Sequence, residues 1–185
     1  LYGVAWIYGI TGSTYLLTIR SVFERGAQTP GILLAGAAAA LIFVGFAFKV
    51  AAWPFQSWAP DVYQGAPVPV AAFLSAGPKA AAFAVFVRVF VTALGPIGGR
   101  WEPLFWLSAL ATMLIGNFAA LVQTNIKRLL AYSSIAHAGY VLVAMTAHSE
   151  IGTAAVMFYM AAYVLMNVGA FAVVAHVCGR QERFV

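Results

Sequence analysis

Apolar residues dominate six stretches of the chain, and polar ones gather in the short gaps between them. The stretches are Leu1–Ile19, Gly31–Trp53, Pro67–Leu94, Glu102–Val122, Asn125–Ala147 and Glu150–Val177. Each is close to the roughly 20 residues that cross the hydrocarbon core of a bilayer as a helix. Gly3, Gly9 and Gly12 interrupt the first stretch and predict small-residue contact faces on one spanning helix. Ala35–Ala40 makes a second close-packing patch. The connection Pro54–Pro67 is rich in Trp, Pro and Gly and carries Asp61, which predicts a break with a half-helix around Phe55–Trp58. Pro54 has no amide hydrogen to donate, and its ring crowds the carbonyl of Val50. Arg20, Glu24, Arg25 and Pro30 form one loop and Gly95–Arg100 a turn-rich second. The pattern predicts an all-α membrane protein, a bundle of about six transmembrane helices with one discontinuous, and a single membrane domain over residues 1–185.

The polar residues inside these stretches carry the candidate chemistry. Lys49 lies close to the break at Pro54, and Lys79 near the middle of the third stretch. A cation at membrane depth costs roughly 2.5–3.5 kcal/mol on insertion scales and normally faces a cavity or a partner. Lys49 reads either as a lysine on an ion path or as one snorkelling to the headgroups. Lys79 is too central to snorkel, and Pro78 before it takes the helical partner from the Leu74 carbonyl, predicting a loosened helix there. Arg88 lies about 13–14 Å further along the axis and reads as an interfacial anchor. In the fifth stretch, Ser133, Ser134, His137 and Tyr140 are three or four residues apart and share a face. A histidine can pass a proton between neighbours on its two ring nitrogens, or sit neutral and satisfied by Ser133 or a carbonyl. A buried lysine can give up its proton. Lys49, Lys79 and His137 are therefore the candidate proton stations, with the two lysines expected to share a wet cavity. Asn117, Asn167, Tyr132 and Tyr159 are candidates for interhelical hydrogen bonds. His148 and His176 read as solvated.

Composition narrows the function further. The chain of 185 residues is 63% hydrophobic and 8% charged, against about 25% charged in soluble domains. A net charge of +5 would suggest nucleic acid in a soluble protein, but here the basic residues sit at short loops and membrane depth, so no nucleic-acid partner is expected. The lone Cys178 excludes an internal disulfide framework. There is no phosphate-binding glycine loop, no haem or iron–sulfur ligand cluster and no nucleophile–base set. Leu1 opens inside an apolar stretch without a leader, which reads as a segment of something longer. The loops alternate in side: Arg20, Arg25 and Arg100 with Glu24, Glu102 and Glu150 on one, Lys127, Arg128, Arg180 and Arg183 with Asp61 and Glu182 on the other, three basic residues against four, which does not decide orientation. The pair Lys127-Arg128 tilts the second set toward the cytoplasm.

Three runs carry a family resemblance: Phe48-Lys-Val-Ala-Ala-Trp-Pro-Phe-Gln-Ser-Trp-Ala-Pro-Asp-Val-Tyr-Gln-Gly-Ala-Pro67, Phe73-Leu-Ser-Ala-Gly-Pro-Lys-Ala-Ala-Ala-Phe83, and Asn125-Ile-Lys-Arg-Leu-Leu-Ala-Tyr-Ser-Ser-Ile-Ala-His-Ala-Gly-Tyr140. They resemble the antiporter-like membrane subunits of respiratory NADH–quinone oxidoreductase, complex I, which are similar to subunits of multisubunit sodium/proton antiporters. The wording Trp-Ala-Pro-Asp-Val-Tyr and the presence of Lys79 resemble the subunit N branch more than its sisters L and M. The resemblance implies about 14 membrane helices in inverted repeats with broken helices near the midplane, of which this chain would be the middle. It also implies that Lys49 is the broken-helix lysine that pairs with a glutamate before Leu1. Lys79 would be the central lysine and His137 a connecting histidine, with a further lysine beyond Val185. Gln56 stands where relatives often have histidine, so it is given no proton role. The implied activity is non-redox proton translocation coupled to quinone reduction elsewhere. This chain would hold no cofactor; NADH, flavin, iron–sulfur clusters and quinone would belong to other subunits. The implied partners are the lipid bilayer and the neighbouring membrane subunits, especially antiporter-like ones, in the inner membrane of a bacterium. A sodium/proton antiporter subunit and an inert membrane scaffold are the alternatives.

Overall fold

The computed structural model describes residues 1–26, 31–147 and 149–178, so Pro30, His148, Arg180, Glu182 and Arg183 lie outside the described residues. Every regular element among the described residues is helical. The helices run α1 (Tyr2–Thr11), α2 (Leu16–Arg25), α3 (Gly31–Val50), α4 (Trp58–Gly65), α5 (Val68–Val87), α6 (Gly98–Leu121), α7 (Ile126–Thr146) and α8 (Glu150–Cys178). Five helical segments among the described residues are long and apolar enough to cross a membrane: those built on α3, α5, α6, α7 and α8.

The first stretch departs from the expected single span. α1 ends at Gly12, whose φ of 68° favours glycine, and the Gly12 N–H bonds to the Tyr8 carbonyl at 2.7 Å. The Thr11 hydroxyl donates to the Ile7 carbonyl at 2.8 Å, and α2 starts afresh after Tyr15. α2 is a short amphipathic helix that buries Ile19 and Phe23 and exposes an Arg20–Glu24 ion pair at 2.7 Å. The same Gly-Ser-Thr composition serves a helix contact or a helix stop, and only the packing chooses.

Two boundaries also move. The half-helix is α4, Trp58–Gly65, rather than Phe55–Trp58. Pro60 sits in its first turn, where a backbone N–H has no helical partner to lose. The turn expected over Gly95–Arg100 contracts to a 3₁₀ turn, Gly95–Ile97, with α6 starting at Gly98. α5 runs through Pro78, and its irregularity comes later, as a π-helical segment at Arg88–Ala93. Arg88 is exposed there, as an anchor would be.

An aromatic core joins α3, α5 and α6. Phe43 lies 5.1 Å from Phe105, Phe86 5.1 Å from Phe105, and Trp101 4.7 Å from Phe105, measured between ring centres. Such tilted pairs contribute about 0.5–1.5 kcal/mol each beyond area burial. A second cluster packs the half-helix, through Tyr63 and Ala59, against Ala131 and Ile135 of α7 and Phe171 of α8. Small residues let α6 and α7 approach closely. A Cβ on Gly116 would stand 2.7 Å from the Ala136 nitrogen, and one on Gly139 would stand 2.7 Å from Met113 Cγ. Large apolar side chains such as Leu33, Phe73, Phe118 and Leu165 remain on the outside, the arrangement of a bundle whose solvent is hydrocarbon rather than water.

Candidate functional site

The break between α3 and α4 leaves backbone groups that no helix satisfies, and α6 supplies their partners. The Trp53 N–H donates to the Thr112 hydroxyl at 2.8 Å, and the Ser108 hydroxyl donates to the Trp53 carbonyl at 2.7 Å. The Trp58 indole N–H reaches back to the Phe48 carbonyl at 2.9 Å. Ala51 takes a positive φ of 59° to turn the chain. Unpaired backbone is tolerated at membrane depth only when protein or water takes it up, and here two α6 hydroxyls do so.

α4 is then tied to the start of α7. The Asn125 side chain caps α7 by accepting the Arg128 N–H at 3.0 Å. The Arg128 guanidinium reaches Asp61 at 2.5 Å and Gln64 at 3.1 Å, and the Lys127 ammonium donates to the Ala66 carbonyl at 3.1 Å. The pair Lys127-Arg128, used above as an orientation signal, is thus engaged internally, and Lys127 is buried. Arg128→Ala in the full-length protein is expected to speed hydrogen–deuterium exchange of the α4 amides while leaving α5 unchanged. Unaltered exchange over residues 58–65 would show that apolar packing alone holds the half-helix.

This tie brings Ser134, two turns into α7, against Lys79 on α5. Lys79 is 2% exposed, and its nitrogen donates to the Ser134 carbonyl at 2.8 Å and to the Ser134 hydroxyl. Its bonded partners are therefore neutral. The Ser134 hydroxyl also accepts from Tyr163 of α8 at 2.9 Å. His137, half-buried one turn further along α7, lines the same small space as Lys79, Ser134, Tyr163 and Met160. Its Nδ1 lies 2.5 Å from the Tyr159 hydroxyl, and its ring centre 5.2 Å from that of Tyr163. Tyr140 stacks edge-on against the same ring at 5.5 Å and accepts from Asn117 of α6 at 3.0 Å.

Lys49 stands apart from this cluster. It is exposed at the end of α3 and lines an apolar groove between α1, α3 and α5, shared with Phe46 and Pro78. Pro78 and Lys79 are consecutive, so their side chains leave α5 in different directions: one toward the groove, the other into the bundle. The two lysines do not share a cavity. The structure brings together Lys79 and His137 and leaves Lys49 on another face of α5.

Ser134, Tyr163 and Tyr63 carry no station role in the sequence reading. Ser134 was one serine of a polar face, and no spacing rule links it to a tyrosine 29 residues away. Tyr163 and Tyr63 sit in apolar surroundings that read as core. Of the other polar candidates, Asn117 bridges helices through Tyr140, and Asn167 donates within α8 to the Tyr163 carbonyl at 3.1 Å. His176 is exposed.

Residues 1–184 match the family model described as NADH:quinone oxidoreductase/Mrp antiporter, TM. The chain belongs to this family. Among curated relatives, it is 67% identical over 184 residues to the protein named NADH-quinone oxidoreductase subunit N 1 of Solibacter usitatus. That match covers 100% of this chain and 37% of the relative. The chain therefore spans little more than a third of such a family member. Among solved structures, it is similar to a chain of respiratory complex I from Thermus thermophilus with bound aureothin, at 42% identity and a TM-score of 0.75. That match covers 94% of this chain and 36% of the other. A chain of the Mrp complex from Dietzia sp. shares the fold, with a TM-score of 0.80 at 24% identity, over 92% of this chain and 30% of that one. The family's all-helical antiporter-like architecture is the one observed, with α3 and α4 as the two halves of a broken helix.

Proposed function

We propose that the protein is a proton-translocating, non-redox part of a membrane-bound NADH–quinone oxidoreductase. In this reading it sits in the inner membrane of a bacterium beside other antiporter-like subunits. One observation carries the reading: a lysine amine, 2% exposed in the middle of an apolar span, is held by the neutral groups of Ser134 beside a histidine. Burying a lysine there costs the bundle stability, and an amine without a fixed counter-charge is suited to taking up and releasing a proton. Lys79 is the central station, His137 the next, and Lys49, at the end of α3, the station in the groove beside α5, where a charge on a neighbouring helix can reach it. Electrons, NADH, flavin, iron–sulfur clusters and quinone are assigned to other subunits. The catalytic role of this one is translocation rather than electron transfer.

The family's other branch favours a second reading, a sodium/proton antiporter subunit, since the Dietzia Mrp chain has the same fold. The two separate in one experiment. The full-length protein is isolated with its native partners, reconstituted in vesicles, and supplied first with NADH and quinone, then with a sodium gradient alone. NADH-driven acidification that persists without sodium supports the proposed reading. Acidification that follows the sodium gradient and ignores NADH overturns it in favour of the antiporter.

A further inference from the structure

Asn117 and Tyr140 lie on the outer surface of the α6–α7 pair, close to the middle of the membrane span. Gly116 packs against Ala136, at the centre of α7, and Tyr140 follows Ala136 by one turn. Both side chains are exposed, Tyr140 by 37%. The Asn117 amide nitrogen gives its two hydrogens to the Met113 carbonyl at 2.9 Å and the Tyr140 hydroxyl at 3.0 Å. The Tyr140 hydrogen and the Asn117 carbonyl oxygen remain. They lie 3.3 Å apart across the pair, beyond the range of about 2.5–3.0 Å for an O–H···O bond. One donor and one acceptor are thus presented side by side on a surface where hydrocarbon offers a partner to neither. Beside them the surface is hollow. Trp106, Ala109, Leu110 and Met113 of α6, with Val143 and Thr146 of α7, line a recess of about 150 Å³. A cavity of that order takes a benzene-sized group. Leu110 precedes Asn117 by seven residues, two helical turns or about 10 Å along α6. Polar side chains at membrane depth face other protein rather than lipid, and a recess two turns away is the shape that a facing helix fills.

We infer that this α6–α7 face is the docking site for a membrane helix of the same full-length subunit, from outside residues 1–185. That helix sets a hydroxyl or amide side chain against Asn117 and Tyr140, and a large apolar side chain in the recess. A single Ser, Thr, Asn or Gln satisfies both open groups, because each can accept from the Tyr140 hydroxyl and donate to the Asn117 oxygen. The apolar side chain stands about seven residues away on the same face of that helix, matching the two turns between Asn117 and Leu110. The chemistry excludes lipid tails as the proper cover, since they carry no hydrogen-bonding group. The source of the helix follows from length and connection. The curated relative at 67% identity is matched over 37% of its length, which leaves most of such a subunit to pack outside the match. Helices of one chain meet at a far higher effective concentration than helices of separate subunits, so the chain covers its own polar pair first. The docking surface is the same whichever ion the subunit moves.

The test uses the full-length subunit in its assembled membrane complex. Leu110→p-benzoylphenylalanine places a photoreactive group at the α6 side of the recess, and Val143→p-benzoylphenylalanine places one at the α7 side. After illumination, the joined peptides are read by mass spectrometry. Both probes are expected to attach to one apolar segment of the same polypeptide outside residues 1–185. That segment is expected to carry a Ser, Thr, Asn or Gln about two turns from the point of attachment. Attachment to a different subunit, to lipid alone, only within residues 1–185, or to a segment without such a residue overturns the inference. Asn117→Leu, a leucine substitution of that partner residue, and the two combined are then compared by thermal unfolding of the complex. Each single substitution is expected to lower the midpoint by about 1–3 °C. A hydrogen bond between the two residues makes the combined loss no greater than the larger single loss. Fully additive losses overturn the bond, because Asn117 then serves only its contact with Tyr140.

Discussion

Lys79→Met in the full-length subunit is expected to lower NADH-driven proton pumping at least about a hundredfold, the low end of what a positioned proton-transfer group contributes. Methionine has nearly the length of lysine and none of its proton chemistry, so it fills the space that the amine stem occupies. The groups it deserts are not left in difficulty. The Ser134 carbonyl lies within α7, and the Ser134 hydroxyl keeps its bond from Tyr163. Removing one hydrogen-bond partner is costly mainly when the other is left buried and unsatisfied, and neither Ser134 group is, so assembly is expected to survive. Lys79→Arg sharpens the result. An arginine stays charged in proteins and does not hand over a proton. If Lys79 works by exchanging its proton, Arg and Met fail alike. If a fixed positive charge is all the bundle needs, Arg pumps normally and the station reading is wrong. Electron transfer from NADH to an artificial acceptor, measured on the same vesicles, should be unchanged in both variants.

The second large effect is structural. Gly116→Val is expected to prevent α6 and α7 from packing, so that little full-length subunit accumulates in the membrane. A Cβ there would lie 2.7 Å from the Ala136 nitrogen, 2.9 Å from its Cα and 3.0 Å from its Cβ. Two of those atoms are backbone of a neighbouring helix and cannot swing aside. Overpacking typically costs about 1–3 kcal/mol, and valine adds two further methyl groups to the clash. Gly116→Ala should be folded but weakened. Gly139→Ala should be milder, because the nearest atom, at 2.7 Å, is Met113 Cγ, part of a side chain with several rotatable bonds. Thermal unfolding of detergent-solubilised protein gives the order. A Gly116→Ala protein as stable as wild type would mean that the two helices are less tightly engaged than the structure places them. The cost of disturbing this contact reaches the site, since the α7 that Gly116 holds is the helix that carries Ser134 and His137.

The residues proposed as proton stations, and their neighbours, differ in how far the sequence could reveal them. Lys79 was legible because charge is rare inside an apolar span and lysine at its centre has nowhere to snorkel. His137 was legible as a titratable group on the same stretch as two serines. Ser134, Tyr163 and Tyr63 were not. Serine and tyrosine are inexpensive to bury when a partner is near, so their presence in a helix signals nothing until the partner is known. That Lys49 and Lys79 line different spaces was not legible for a related reason. Spacing along the chain says how far apart two residues are on their own helices, but not which way Pro78 and Lys79 turn on α5. At α1 and α2 the spanning reading failed because hydropathy averages over a window, whereas Gly12 stops the helix at a single residue.

What the sequence determined alone is therefore the kind of the long apolar helices and five of the six expected spans, the break near Pro54, and the membership of an antiporter-like membrane family. The first two follow from local rules, since hydrocarbon accepts only backbone that satisfies itself and proline removes a donor wherever it stands, and the third from the motif runs. What only the tertiary structure decided is which polar groups meet. Helix–helix packing, close at the glycines of the α6–α7 contact, carries Ser134 to the Lys79 amine. A hydrogen bond needs its partners within about 3 Å, and no local pattern along one chain fixes a distance that short between residues 55 apart.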